Sequence, residues 1–365
     1  MNILTLLTAP LSCLFGAAVY LRNKCFDLGL RSERSFSLPV ICVGNLAVGG
    51  TGKSPHVELI LRLLRDAGFK VAMLSRGYGR RTKGFVLATP QHTAEEIGDE
   101  PLQILRNCPF ATVAVCEKRV NGIEQLLRLK PDLEAIVLDD AFQHRHVRAR
   151  LNLLLTSAAS LYTRDKLLPW GRLREPASAA ARADAVIVTK CSAQFDEKVK
   201  IRRGVGSASS LPLTERQKLF FSRIVYRSPY KFQQVGVLEP DIYEGKDVVL
   251  LAGIANPAPL IRHLESFHPD SLQTLLFPDH HAFTARDVRK LNLSIRGLAN
   301  PLLVTTEKDA ARLAAVAEHL PDNLRQSLIV QPIAVEVEPE TTQLESFNQY
   351  ILKYVATNSR NRSVD

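Results

Sequence analysis

The chain has 365 residues, 46 % hydrophobic and 23 % charged, with 47 Lys and Arg against 37 Asp and Glu for a net charge of +10. This composition excludes a disordered or fibrous protein, and the length favours two cores over one. Six cysteines with no CxxC pair argue against a disulfide framework or a zinc site and fit a reducing cytosol. The positive surplus asks for an anionic partner without choosing among nucleic acid, phosphorylated substrate and anionic lipid.

From Met1 to Leu21 no residue is charged, and Arg22, Lys24, Arg31 and Arg34 follow. Asn2, Thr5, Thr8 and Ser12, with Pro10 and Gly16, make the stretch a mediocre membrane span. A secretory signal would carry its positive charge before the apolar run, not after it. The segment reads as a helix lying with a broad apolar face in the inner leaflet, with the rest of the chain on the cytoplasmic side. The plainer alternative is a helix packed on the protein's own core.

Residues 38–43, LPVICV, read as a buried strand. Gly49-Gly50-Thr51-Gly52-Lys53-Ser54 follows, and Pro55 opens a helix whose Val57, Ile60, Leu61 and Leu64 share one face until Gly68. A glycine-rich loop between strand and helix is the context a phosphate-binding loop requires. The loop from Val48 to Pro55 would wrap the phosphates, its backbone N–H groups up to Ser54 pointing at phosphate oxygens at a helix N-terminus. Lys53 would reach the β and γ phosphates, and Ser54 would hold Mg²⁺. Ala47 stands where the strict pattern has Gly.

Further strands are expected at 71–74, 112–115 and 135–138, with a helix at about 118–130. Asp139 and Asp140 end the third of these, where a carboxylate orients Mg²⁺ in nucleotide-binding folds; either could do so. Arg76 and Arg119 also follow strands and are candidates for the transferring phosphoryl group, or solvated surface charges. Ala141 to Arg174 holds seven Lys and Arg against one acid, +6 over 34 residues, interspersed with Leu161, Tyr162, Leu167, Leu168 and Trp170. Basic plus apolar suits an anionic lipid headgroup beside a bilayer.

Residues 193–218 are polar and read as a surface excursion, and 219–226 as an extended link between domains. Strands at 248–254, 272–277, 302–306 and 328–335 alternate with helices, one of them opened by Thr284 with Asp287 three residues on. The tail from Thr357 should fray. The pattern predicts an α/β protein with a mainly parallel, P-loop NTPase-like sheet in a domain at 31–222. A smaller α/β domain at 223–365 follows it, and a membrane-contacting helix at 1–30 precedes it.

Eight motifs occur in order: 43–55 (VGNLAVGGTGKSP), 75–79 (SRGYG), 98–101 (GDEP), 138–144 (LDDAFQH), 167–176 (LLPWGRLREP), 253–257 (GIANP), 277–281 (FPDHH) and 306–309 (TEKD). Together they resemble the tetraacyldisaccharide 4′-kinase family, the lipid A 4′-kinases of Gram-negative bacteria. Ala141 replaces a usual Gly, and Trp170-Gly171-Arg172 replaces a small residue, Gly and Pro. The resemblance implies ATP and Mg²⁺ as cofactors and transfer of the γ-phosphoryl group to the 4′-hydroxyl of a tetraacylated glucosamine disaccharide 1-phosphate. It also implies two flexibly linked α/β/α domains on the cytoplasmic face of the inner membrane. By resemblance, Asp99 and His280 match an Asp–His pair that activates the hydroxyl, and Gln143, Arg172, Arg174 and Glu175 join the acceptor candidates. Read alone, Asp99 is a helix N-cap and the His pair a polar loop.

Two other readings compete. A P-loop switch would hydrolyse nucleotide without acceptor, and a basic nucleic-acid binder would not need Lys53. The uneven placement of the charge favours a lipid substrate over nucleic acid. The sequence is silent on oligomeric state.

Overall fold

The computed structural model describes residues 3–192, 211–232, 236–279, 281–298, 301–339 and 345–360. His280 and 193–210 lie outside the described residues.

Short β-branched runs form the strands of two sheets. The larger sheet takes β1 (Val40–Asn45), β2 (Val71–Ser75), β3 (Val86–Leu87), β4 (Thr112–Val115), β5 (Ala135–Asp139), β6 (Leu151–Ser157), β7 (Ala185–Thr189), β8 (Lys218–Tyr226) and β14 (Ile333–Pro339), in the order β14-β8-β7-β6-β1-β5-β2-β4-β3. The seven inner strands are parallel, and the two edges, β14 and β3, run antiparallel. Inner strands such as β1, β2, β5 and β7 are buried along their whole length, as expected for a sheet covered on both faces.

One face is covered by α2 (Lys53–Asp66) and the end of α4 (Asp99–Asn107), with Ile60, Leu61, Leu64 and Ile104 in the core. A C-terminal helix, α10 (Phe347–Arg360), joins this layer through Phe347, Ile351 and Val355. On the other face lie α5 (Arg119–Leu129) and the segments that flank β6, through Ile123, Leu126, Phe142, Leu161 and Leu173. A single turn, α3 (Ala94–Ile97), precedes α4.

The smaller sheet has the order β11-β10-β12-β13-β9, from β9 (Tyr230–Lys231), β10 (Asp247–Ala252), β11 (Ser271–Leu276), β12 (Pro301–Thr306) and β13 (Leu328–Gln331). Its helices are α6 (Ala258–Glu265), α7 (Ala285–Ser294), α8 (Glu307–Leu313) and α9 (Asp322–Ser327). The Thr284 capping box with Asp287 forms as the sequence predicts.

Three expectations need correction. Thr357–Arg360 continue α10 rather than fray, and 361–365 lie outside the described residues. Residues 328–335 are not one strand, because Pro332 separates β13 in the smaller sheet from β14 in the larger. Residues 219–226 are an inner strand of the larger sheet, and only beyond Tyr226 does the chain cross. The chain thus passes between sheets twice, side by side, with Arg227 N donating to Pro332 O at 3.1 Å. Residues 333–339 and α10 belong with the larger sheet, so 223–365 is not a separate unit in the way its numbering suggested.

The N-terminal helix α1 (Ile3–Asp27) is strapped to the segments that flank β6. Ser12 Oγ donates to Leu167 O at 2.9 Å, and Arg145 bridges Asp27 and Glu33. Glu175, 1 % exposed, accepts from Arg22, Asn23 and Arg182. Leu11, Leu14 and Leu21 nonetheless stay exposed on one face of α1, Leu14 at 69 %, with Trp170 also exposed on the loop beyond Leu167. Among the described residues no helix is long and apolar enough to cross a membrane.

Candidate active site

The phosphate loop leaves β1 at the carboxyl edge of the larger sheet. Gly52 takes a left-handed backbone (φ 86°) at the cap of α2, where a side chain would be strained. The loop is tied from three sides. Asn45 Nδ2 donates to Thr51 Oγ1, and Thr189 Oγ1 to Thr51 O, both at 2.8 Å, while Val48 N donates to Arg172 O at 2.8 Å. Ala47 lacks a left-handed backbone, so the usual glycine is not required there. His56, one turn into α2, bonds Gly52 O through Nδ1 at 2.7 Å and Ser222 through Nε2. Burial pushes its imidazole down to about 4, so it serves as a neutral brace.

Charged groups converge beside this loop. Lys53 Nζ stands 3.7 Å from Asp140 Oδ1, and Arg174 grips both oxygens of Asp140 at 2.7 and 3.1 Å. Burial alone would raise the Asp140 carboxyl, but Arg174 and Lys53 outweigh it and hold it below its usual range. Asp139 is 2 % exposed; burial, then Glu100 and Asp140, push its carboxyl up to about 7. Ser75 Oγ reaches its Oδ2 at 3.4 Å, while its Oδ1 is buried without a hydrogen-bond partner. Ser54 is also buried. Two adjacent carboxylates, one with an orphaned oxygen, fit a cation that brings water and phosphate oxygens as its other ligands, as Mg²⁺ does. Among the described residues no cage of three or more His, Cys, Asp or Glu forms.

Arg119 is buried at the start of α5 and donates to Cys116 O at 2.9 Å and Asp139 O at 3.3 Å; burial lowers its guanidinium from the usual value. Arg76 is exposed and near enough to Arg119 to repel it. Gln143 Nε2 donates to Asn45 O at 2.9 Å, leaving its Oε1 buried without a partner.

The SRGYG and GDEP segments lock together. A Cβ on Gly77 would stand 2.8 Å from Ile97 O, and one on Gly98 would stand 3.0 Å from Tyr78 O, so both sites admit only hydrogen. This contact starts α4 beside the phosphate loop, where Glu100 feels Lys53 and Asp140. Asp99 and Glu100 then face α8 of the smaller sheet: Arg312 Nε meets Asp99 Oδ2 at 2.8 Å, and Lys308 Nζ meets Glu100 Oε1 at 3.0 Å. His281, next to the undescribed His280, bonds Asp287 at 3.1 Å and so belongs to the α7 cap.

Two expected acceptor groups have their side chains engaged by other residues. Glu175 is enclosed by Arg22, Asn23 and Arg182, and Arg172 spends its side chain on Asp165 and Ser160. With Arg145 and Arg174 also in ion pairs, the 141–174 surplus is not one open basic face. Sequence reasoning missed Lys190, which follows β7 with φ 58° and holds its ammonium 3.9 Å from where a Gly50 side chain would begin. A lone Lys after an apolar strand was its only signal. A separate cavity of about 860 Å³ involves none of the loop residues; Arg62, Arg106, Tyr230 and Glu307 are among its lining. Burial, with Glu58 nearby, pushes the Glu307 carboxyl up to about 7, and Asn107 donates to it at 2.8 Å.

Comparison with known proteins gives the chain its family. Residues 4–354 match the family described as Tetraacyldisaccharide-1-P 4'-kinase. The chain is 44 % identical to the Tetraacyldisaccharide 4'-kinase of Bacteroides fragilis, over 97 % of this chain and 94 % of that one. It is 43 % identical to that of Bacteroides thetaiotaomicron over the same shares. A crystal structure of LpxK from Aquifex aeolicus, an "apo" form in complex with ATP, superposes with a TM-score of 0.73 at 26 % identity, covering 95 % of this chain and 97 % of that one. The chain therefore belongs to the tetraacyldisaccharide-1-P 4'-kinase family.

Proposed function

We propose that this ATP-dependent kinase of lipid A biosynthesis moves the γ-phosphoryl group of ATP onto the 4′-hydroxyl of a tetraacyldisaccharide 1-phosphate, at the rim where the phosphate loop, Asp139–Asp140 and Asp99 meet. The observation that carries the site reading is the convergence of Lys53, Asp140 and Arg174 beside a helix start that brings in Asp99. The loop N–H groups and the α2 N-terminus bind the phosphates, and Lys53 neutralises charge on the transferring group. Asp99 accepts the hydroxyl proton, since a sugar hydroxyl is a poor nucleophile at neutral pH. His280 is its proposed partner. Ser54 with Asp139 or Asp140 would hold Mg²⁺, which when bound spreads the phosphate charge. Arg76, Arg119, Arg174 and Gln143 remain the candidates for contacts to phosphate or acceptor.

The exposed leucines of α1 and Trp170 supply an apolar surface, with Arg22 and Lys24 following, that suits a monotopic seat on the cytoplasmic face of the inner membrane. The decisive assay follows label from γ-labelled ATP onto an added lipid disaccharide monophosphate. Nucleotide hydrolysis independent of the lipid, with no label transfer, would favour a switch. Exchanging Leu11, Leu14 and Leu21 for Ser should release the chain from anionic vesicles; unchanged co-sedimentation would refute the membrane face.

A further inference from the structure

We infer that Arg312, carried by the smaller sheet, is a positioning residue that fixes the Asp99 carboxylate of the larger sheet for phosphoryl transfer. The inference rests on the reading of Asp99 as the general base.

The support starts at the end of β12. Thr306 Oγ1 accepts from Asp309 N at 3.1 Å and donates to Asp309 Oδ2 at 2.7 Å, capping α8. Gly253 N, just after β10, donates to the same Oδ2 at 3.0 Å. The other oxygen of Asp309 accepts from Arg312 Nη1 at 3.0 Å, and Nη1 also reaches Gly253 O at 3.0 Å. The guanidinium is thus held from behind by two strand ends, and its Nε projects onto Asp99 Oδ2 at 2.8 Å. Asp309 is 0 % exposed and the Arg312 side chain 4 %. A Cβ on Gly253 would come within 3.1 Å of Asp309 Oδ1, so the glycine of the GIANP motif keeps room for this network.

A planar guanidinium fixed at one edge sets both distance and orientation at the other, which an ammonium on a flexible stem does not. Lys308, four residues earlier, makes the parallel grip on Glu100 at 3.0 Å. One turn of α8 therefore holds two consecutive acids of α4. This gives the GIANP and TEKD segments a common task, to carry the arginine that aims the base. Misplacement by about 1 Å can cost about 10²-fold in rate.

The test is a double-mutant cycle in single turnover on the full chain, with γ-labelled ATP and lipid disaccharide monophosphate. Arg312→Gln should slow transfer about 10²-fold with ATP affinity unchanged. Arg312→Lys should recover part of that loss. Asp309→Asn, which leaves both Arg312 and Asp99 in place, should fall between them. Added to Asp99→Asn, Arg312→Gln should cost nothing further. Should Arg312→Gln fail to fold by thermal melting, Asp309→Asn and Arg312→Lys run the same cycle. A wild-type rate in Arg312→Gln, or losses that multiply in the double variant, overturns the inference. A wild-type rate in Asp99→Asn removes the base reading instead, and the inference with it.

Discussion

The two sheets handle buried charge in opposite ways. At the rim of the larger one, charged and polar groups pair only in part: Asp139 Oδ1, Arg119 Nε, Arg174 Nε and Gln143 Oε1 are buried without hydrogen-bond partners. In the smaller one, Asp309 is closed off by Thr306, Gly253 and Arg312, and the set opens at one point only, where Arg312 Nε reaches Asp99. A buried polar atom left unsatisfied costs about 1–3 kcal/mol, so a cluster of them marks where a ligand completes the bonding. A satisfied network marks scaffold. The comparison separates residues whose loss should lower rate from residues whose loss should lower stability.

The largest effect should fall on Lys53. On the proposed role of Lys53 in neutralising transition-state charge, Lys53→Ala should reduce transfer by about 10³–10⁵-fold while the melting temperature holds. Near-normal transfer would break the rim assignment. Glu175→Ala should do the reverse, because it leaves Arg22 and Arg182 without their shared carboxylate. A cost of about 3–5 kcal/mol is expected from a broken buried pair, read by denaturant melts and by faster proteolysis of α1. A lost rate at unchanged stability would move Glu175 into the site.

Glu307 gives the smallest effect and a signed one. Its folded carboxyl is raised to about 7, so the folded state binds more protons than the unfolded state between the ordinary carboxylate value and 7. Wild-type stability from this group is present at low pH and is lost as pH rises through that window. Glu307→Gln should therefore gain on the wild type, by up to about 3 kcal/mol, between pH 4.5 and 7 in melts followed by circular dichroism. Parallel pH curves for the two proteins would rule it out.

Much of this molecule was legible in its residues. The glycine-rich loop between β1 and α2, Asp139–Asp140 at the end of β5 and the strands at 71–74, 112–115 and 135–138 are local patterns, and locality is what periodicity and turn chemistry report. The adjacency of Asp99 and Arg312 spans 213 positions and depends on two sheets packing, which no local pattern encodes. The 328–335 run failed for a different reason. Pro332 can end one strand and start the next with little change in hydrophobicity, so composition hides the switch of sheets. The basic excess at 141–174 overstated the open charge because the window counts Arg145 and Arg174 without Asp27, Glu33 and Asp140, the carboxylates that pair with them from outside it.

The double crossing also dictates the order in which the molecule can be finished. The larger sheet receives β14 and α10 only after the whole smaller sheet has been synthesised. Until then β8 is a bare edge, and Phe220, whose ring meets that of Phe347 at 5.3 Å, lacks its cover. A nascent chain therefore carries an open strand and an exposed apolar face through the translation of about a hundred residues. The smaller sheet, contiguous between 230 and 331, can close on its own and bring the last strand home.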